Sequence, residues 1–132
     1  MLIPTKILKK TGGFDDRYFL ISEDTDLCYR IKKAGYTLIV DNRAVLYHKI
    51  SSSIGGRYSP RNQYYFHRNR MLFFSRILSC PVKIAFCLFQ FLIMIPAWMI
   101  LELCRGHYKA IPWASLGYLD FMRGRFGKCH HL

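Results

Sequence analysis

The chain has 132 residues, a net charge of +12 and a pI near 9.8, and 52% of it is hydrophobic and 16% aromatic. That length allows one domain at most, or part of one, and the apolar content excludes a disordered chain. The charge is uneven: residues 1–41 hold seven Lys/Arg and six Asp/Glu, residues 42–132 thirteen and two, so the second half points to an anionic partner such as a phospholipid surface, a diphosphate or nucleic acid.

Met1 to Thr11 alternates weakly through Leu2, Ile3, Ile7 and Leu8 and ends in Lys9-Lys10, which fits a short strand or a helical turn. It has no apolar run of useful length, so no signal peptide is expected there. Gly12-Gly13 predicts a tight turn before Phe14. Tyr18 to Ile21 is short and apolar, suited to a half-buried strand or a packed loop. Two acid clusters flank it, Asp15-Asp16 and Glu23-Asp24 with Asp26, together five of the eight carboxylates in the chain. Ser22 reads as a helix N-cap with Glu23, Asp24 and Asp26 in the first turn, where the helix dipole favours acids. A general base or a cation site is the other reading of this cluster in so basic a chain. Ser22–Ala34 reads as a helix, with Leu27, Ile31 and Ala34 as its apolar stripe, Arg30, Lys32 and Lys33 near its end, and Gly35 at C′. Tyr36–Val40 reads as a strand, Asp41-Asn42 as a turn, and Ala44–Tyr47 as a second short strand ending at His48. These elements predict a small mixed sheet with the helix packed on it.

Residues 50–60, with Ser51-Ser52-Ser53 and Gly55-Gly56, read as a loop. Arg61–Leu78 follows as a helix in which basic and aromatic residues interleave. Arg68 and Arg70 either snorkel at a membrane surface or reach a diphosphate. Beyond Pro81, Ile84–Leu101 is an uncharged run of 18 residues broken only by Gln90 and Pro96, at the lower edge of the roughly 17–25 residues that span a bilayer. Arg76, Lys83, Arg105 and Lys109 bracket it, so a full span and a kinked, half-inserted helix on the cytoplasmic leaflet both fit. The charges bracket an apolar span instead of forming a basic face, and no nucleic-acid partner is expected. Pro112–Met122 reads as a short amphipathic helix with Trp113, Leu116, Leu119 and Met122 on its apolar face. Five cysteines without Cys-x-x-Cys spacing suit free thiols in a reducing compartment.

The order Gly12-Gly13-Phe14-Asp15-Asp16, Phe19, Glu23-Asp24, Asp26-Leu27, Arg30, Gly35-Tyr36, His48 and Ser51–Ser53 resembles the C-terminal half of the catalytic domain of family 2 glycosyltransferases, nearest the rhamnosyltransferase-like branch. Asp16 stands where that family often has Glu. A tyrosine-rich stretch with Arg68-Asn69, and an ending with Gly117, Asp120, Gly124, Arg125 and Gly127, extend the likeness.

The resemblance implies an α/β fold: the C-terminal part of an A-type, Rossmann-like glycosyltransferase domain with a small mixed sheet, followed by membrane-associated helices. Residues 1–60 would be the acceptor-side part of the catalytic domain and residues 61–132 a basic, aromatic, membrane-associated tail on the cytoplasmic face, peripheral or with one embedded helix. The implied reaction is inverting transfer of a sugar from a nucleotide-diphosphate donor to a saccharide or lipid-linked acceptor. Asp24 would be the base. Glu23 or Asp26 would orient the acceptor or Arg30, and Asp15 and Asp16 would shape the acceptor pocket beside Phe14. His48 would lie on the donor side as a ligand of a divalent cation (Mg or Mn) or a diphosphate contact. The family's nucleotide-binding half and its Asp-x-Asp motif are expected to be missing from these residues, so no transfer is expected from the chain alone. A small basic membrane-associated binding protein, with a structural acid cluster, is the rival reading.

Overall fold

In the computed structural model, residues 1–45, 47, 55–129 and 131–132 are described. The elements are helical: α1 (Thr5–Thr11), α2 (Glu23–Lys33), α3 (Pro60–Ile77), α4 (Cys80–Phe89), a π turn at Gln90–Met94, α5 (Ile95–Cys104), a 3-10 turn at Tyr108–Ala110 and α6 (Ile111–Met122). Among the described residues there is no strand. The expected α/β, Rossmann-like domain with a mixed sheet is therefore overturned. Tyr36–Val40 forms no ladder, and neither do the described residues of the second expected strand, Ala44, Val45 and Tyr47; Leu46 lies outside the described residues. The physical reason is that β-rich sequence earns its preference by packing on a pleated neighbour. Leu38, Ile39, Val40, Val45 and Tyr47 are all exposed here, so no such neighbour holds them.

The helices start and stop where local chemistry directs. Gly12 closes α1 in a left-handed conformation (φ 82°), which a side chain resists. At the end of α2, the Gly35 N–H donates to the Lys32 carbonyl and the Tyr36 N–H to the Ile31 carbonyl, the double bond of a Schellman ending with Gly35 at C′. Ser59 caps α3, its side chain accepting from the Asn62 N–H, and Pro60 follows inside the first turn, where a missing N–H costs nothing.

The principal packing is α3 against α6. Gly117 on α6 makes the approach possible: a Cβ there would lie 2.5 Å from the Tyr64 carbonyl oxygen of α3 and 3.2 Å from the Arg68 nitrogen. Around this crossing Tyr64, Tyr65, Ala114, Tyr118 and Cys129 are buried, with Arg68, Asn69 and Asp120 among them. The buried face of α6 is Ala114, Gly117, Tyr118 and Asp120, while Leu119 and Met122 are exposed. The expected stripe thus turns outward in part, because Gly117 sets which face comes closest.

α4, the π turn and α5 run together as one helix, Cys80–Cys104, long and apolar enough to cross a membrane, with 6% of its most apolar window buried. The π turn precedes Pro96, whose ring meets the carbonyl four residues back in a regular helix. That carbonyl belongs to Leu92, inside the π turn. Leu88, Leu92, Ile93, Ile100 and Leu103 face outward while Gln90 and Glu102 are buried.

Candidate functional site

The acid-rich loop between α1 and α2 is held from below by α3. Arg68, 1% exposed, donates from Nη1 to the Gly127 carbonyl at 2.8 Å and from Nη2 to the Arg17 and Tyr18 carbonyls at 3.0 and 3.1 Å. Its guanidinium lies 5.1 and 4.9 Å from the Tyr64 and Tyr65 ring centroids, so π faces and carbonyl dipoles balance the buried charge. Asn69 Nδ2 lies 2.9, 2.6 and 2.7 Å from the Tyr18, Leu20 and Ile21 carbonyls. Three acceptors around one nitrogen fix the orientation of that amide. This grip matters because Phe19, Ile21 and Ser22 all have positive φ, at 58°, 67° and 74°. Such backbone costs roughly 1–3 kcal/mol per residue and persists only where its surroundings impose it. The C-terminal segment closes the clamp: the Gly127 N–H donates to the Arg17 carbonyl at 2.9 Å, and Asp120 accepts from the Tyr64 hydroxyl at 2.8 Å.

Arginines divide the carboxylates into two groups. Asp26, buried on α2, accepts from Arg30 Nε at 2.7 Å, Arg76 Nη1 at 2.9 Å and the Tyr18 hydroxyl at 3.2 Å. Asp15 pairs with Arg17 Nη2 at 2.7 Å and Arg76 Nη1 at 2.8 Å. The Arg17 hydrogen bond, with help from both cations, holds the Asp15 carboxyl down at about 2. Burial and the Asp26 charge push the Tyr18 phenol up to about 12, so it stays a donor. Arg30 also donates to the Thr11 carbonyl and, at 2.6 Å, to the Gly13 carbonyl, which pins the glycine turn to α2.

The second group has no ion pair among the described residues. Asp24 is exposed at the start of α2 and, among the described residues, accepts from its neighbour alone, the Thr25 N–H at 2.7 Å and the Thr25 hydroxyl at 3.3 Å. Asp16 is exposed. Glu23 Oε2 is buried and has no partner among the described residues. Phe14 and Phe19 are half exposed on the same loop. Ser22 stands at the N-cap position but makes no side-chain cap bond, because its left-handed conformation turns it away.

The structure thus brings Asp15, Asp26 and Arg30 together through Arg76 and leaves Asp24, Asp16, Glu23 and Phe14 outside that network. His48 lies outside the described residues. Among the described residues no group of three His, Cys, Asp or Glu side chains could hold a metal ion, and Asp15 and Asp26 are already satisfied by arginine. Sequence reasoning missed Arg76 as the joint of the cluster. Its signal was faint: one basic residue before an apolar run, 50 positions from Asp26.

Fold and site define a basic chain that is helical in its described residues, with one helix among them long and apolar enough to cross a membrane and a braced, acid-rich loop. No family model and no solved structure matches the chain. Over 54 residues it is 41% identical to the N-acetylglucosaminyl-diphospho-decaprenol L-rhamnosyltransferase of Mycobacterium tuberculosis, in both strain CDC 1551 / Oshkosh and strain ATCC 25618 / H37Rv. That match covers 40% of this chain and 18% of each relative, so the chain spans about a fifth of their length. The likeness to a glycosyltransferase is confined to that segment.

Proposed function

We propose that the chain is the acceptor-side and membrane-associated part of an inverting sugar transferase. Residues 1–60 would carry the acceptor site and residues 61–132 would brace it and hold it at the bilayer. The observation that carries this reading is the stretch shared with the mycobacterial rhamnosyltransferase, together with an exposed acid at the start of a helix on a braced loop. Asp24 acts as the base. It takes the proton from an acceptor hydroxyl as that oxygen bonds to the anomeric carbon, and the bond from that carbon to the nucleoside diphosphate breaks. Asp26 already accepts from Arg30, Arg76 and the Tyr18 hydroxyl, so its oxygens are taken up, which favours Asp24. Asp26 and Asp15 then orient Arg30, Arg76 and the loop, while Glu23, Asp16 and Phe14 line the acceptor side. The donor is a nucleotide-diphosphate sugar, held by a nucleotide-binding part beyond these residues, with His48 proposed on that side. The acceptor is a saccharide or a lipid-linked saccharide at an anionic membrane surface.

The test joins the chain to the nucleotide-binding part it acts with, in native membranes, and follows labelled sugar into the lipid fraction. Asp24→Asn is expected to slow transfer by about 10²–10⁴-fold and to leave donor binding intact. Unchanged turnover removes Asp24 from the role. The exposed apolar helix Cys80–Cys104 favours one second reading, a small membrane-associated binding protein, and transfer lost with Asp24→Asn would exclude it.

A further inference from the structure

At the opposite end of α3 from Arg76 lies a second constellation that the transfer reading does not use. Gln63 and Arg76 are 13 positions apart on α3, about 20 Å along the helix at ~1.5 Å per residue. There, Arg57, Tyr58, Asn62, Gln63, Phe66, His67, Trp98 and Glu102 enclose a cavity of about 240 Å³. That is below the ~300–1,000 Å³ of drug-sized sites and suits one small ring.

The chemistry of its walls is specific. Gln63 is 6% exposed; its amide nitrogen donates to the Arg57 carbonyl at 2.8 Å, but its Oε1 is buried without a partner among the described residues. A buried acceptor left unpaired is costly, so the site calls for an O–H or N–H donor. Glu102 is buried with one oxygen 2.9 Å from His107 Nδ1 and the other 3.5 Å from Arg105 Nη1, and Tyr58 stacks on His107 at 3.8 Å. His67 Nδ1 lies 2.8 Å from the Tyr118 hydroxyl. Burial holds the imidazole neutral at ordinary pH, its pKa lowered to about 4. Phe66 and Trp98 supply apolar ring surface.

Three ligand classes can be compared. A quaternary ammonium has no donor for Gln63 Oε1, and both Glu102 oxygens already lie against His107 and Arg105. An anion would face the unpaired Gln63 carbonyl, and the one cation in the lining, Arg57, has its guanidinium over the Tyr58 ring. A neutral polyhydroxylated ring satisfies all of it: hydroxyls donate to Gln63 Oε1 and Glu102 and accept from Asn62, while the C–H face lies on Trp98.

We propose that this cavity binds a single pyranose ring, with Gln63 as the acceptor that reads a hydroxyl and Trp98 and Phe66 as its apolar wall. Trp98 and Glu102 lie on α5 close to the end of the apolar helix, beside exposed Ile100, Leu101 and Leu103, so a sugar carried on a lipid reaches the site as readily as a free one.

The full chain in nanodiscs serves as the sample. Saturation-transfer NMR is run with free methyl pyranosides, with discs doped with a monoglycosyl diacylglycerol, and with choline as the control cation. Saturable binding of a sugar in either of the first two arms supports the proposal and tells the free source from the lipid-borne one. Gln63→Leu removes the acceptor at nearly constant volume and is expected to weaken binding at least tenfold. Phe66→Ala, at a half-exposed wall position, is expected to weaken it less and keeps the test valid should Gln63→Leu misfold. No sugar binding in either arm, choline binding in place of sugar, or sugar binding indifferent to both substitutions would overturn it. None of these outcomes depends on Asp24 or on transfer.

Discussion

Asn69→Leu is the sharpest test of how the acid-rich loop is held. The two side chains are close in size, so the change leaves little cavity and removes one amide. The Leu20 and Ile21 carbonyls lie 2.6 and 2.7 Å from Asn69 Nδ2, and that nitrogen is the donor they share. Tyr18 keeps other donors, Arg68 Nη2 at 3.1 Å and the Leu20 N–H at 2.7 Å. Two half-buried carbonyls left unpaired cost about 1–3 kcal/mol each, and Arg68 Nε loses its bond to Asn69 Oδ1 besides. Against this, a freed loop can relax its positive-φ residues and recover roughly 1–3 kcal/mol at each one that does. With one of those residues relaxing, mid-range values leave a net loss of about 2 kcal/mol with a changed loop conformation. Thermal unfolding in detergent reads the loss. Hydrogen exchange locates it: the Leu20 amide, bonded to the Tyr18 carbonyl, and the Asp26 amide, bonded to the Ser22 carbonyl, should exchange faster while amides in the middle of α6 do not. A loss below about 0.5 kcal/mol, the range of ordinary surface substitutions, with unchanged exchange at Leu20 and Asp26, would refute the clamp.

Gly117→Ala should separate α3 from α6, since the new methyl would lie 2.5 Å from a backbone oxygen that cannot swing aside; overpacking of this kind costs about 1–3 kcal/mol, and near-ultraviolet dichroism should lose its tyrosine signal. His67 is held neutral by burial, with Arg70 beside it, its ring nitrogen on Tyr118, and Arg57 and Glu102 across the cavity. Its folded pKa of about 4 lies below the ordinary 6.5, so between those values the unfolded chain binds more protons. Stability should therefore fall as pH drops from 6.5 towards 4, and His67→Phe should flatten that part of a pH series of melting curves. Leu92 is 71% exposed on the apolar helix; Leu92→Arg should leave the fold intact and, at ~2.5–3.5 kcal/mol for a charge at mid-span, shift the protein out of carbonate-washed membranes.

What the sequence made legible was local. The glycine turn at Gly12-Gly13, the α2 boundaries with Gly35 beyond them, the α3 helix and the apolar helix beyond Pro81 all follow from residues acting on near neighbours. The failures are long-range. Tyr36–Val40 has strand-forming residues, but a strand needs an edge to pair with, and composition does not show whether one is present. The apolar face assigned to α6 from size alone missed that Gly117, the smallest residue, sets the contact. The acid cluster read as one feature, whereas Arg76, from 50 positions beyond Asp26, joins Asp26 to Asp15 and divides it. Arg68-Asn69 was visible as a pair, yet nothing in its spacing says that its donors reach back about 50 residues to the Tyr18 and Leu20 carbonyls.

That division of the acids constrains the chemistry more than the cluster itself does. A carboxylate held by two guanidiniums has its lone pairs occupied and its proton affinity lowered, as Asp15 shows at about 2. Such a group can brace a loop but is a poor choice to receive a proton near neutral pH. Asp15 is of that kind, and the Asp26 oxygens are taken up by Arg30, Arg76 and the Tyr18 hydroxyl. Asp24 stands at the same helix start with no arginine on it among the described residues, two residues past Ser22, the last positive-φ position of the turn that Asn69 holds from behind. A base in that position is aimed by the fold while its carboxylate stays open to an incoming hydroxyl. If transfer is measured in the joined protein, Asp26→Asn should therefore lose stability and activity together, whereas Asp24→Asn should lose activity with an unchanged melting curve. Equal loss of stability in both variants would make the whole cluster structural and leave the proposed base without support.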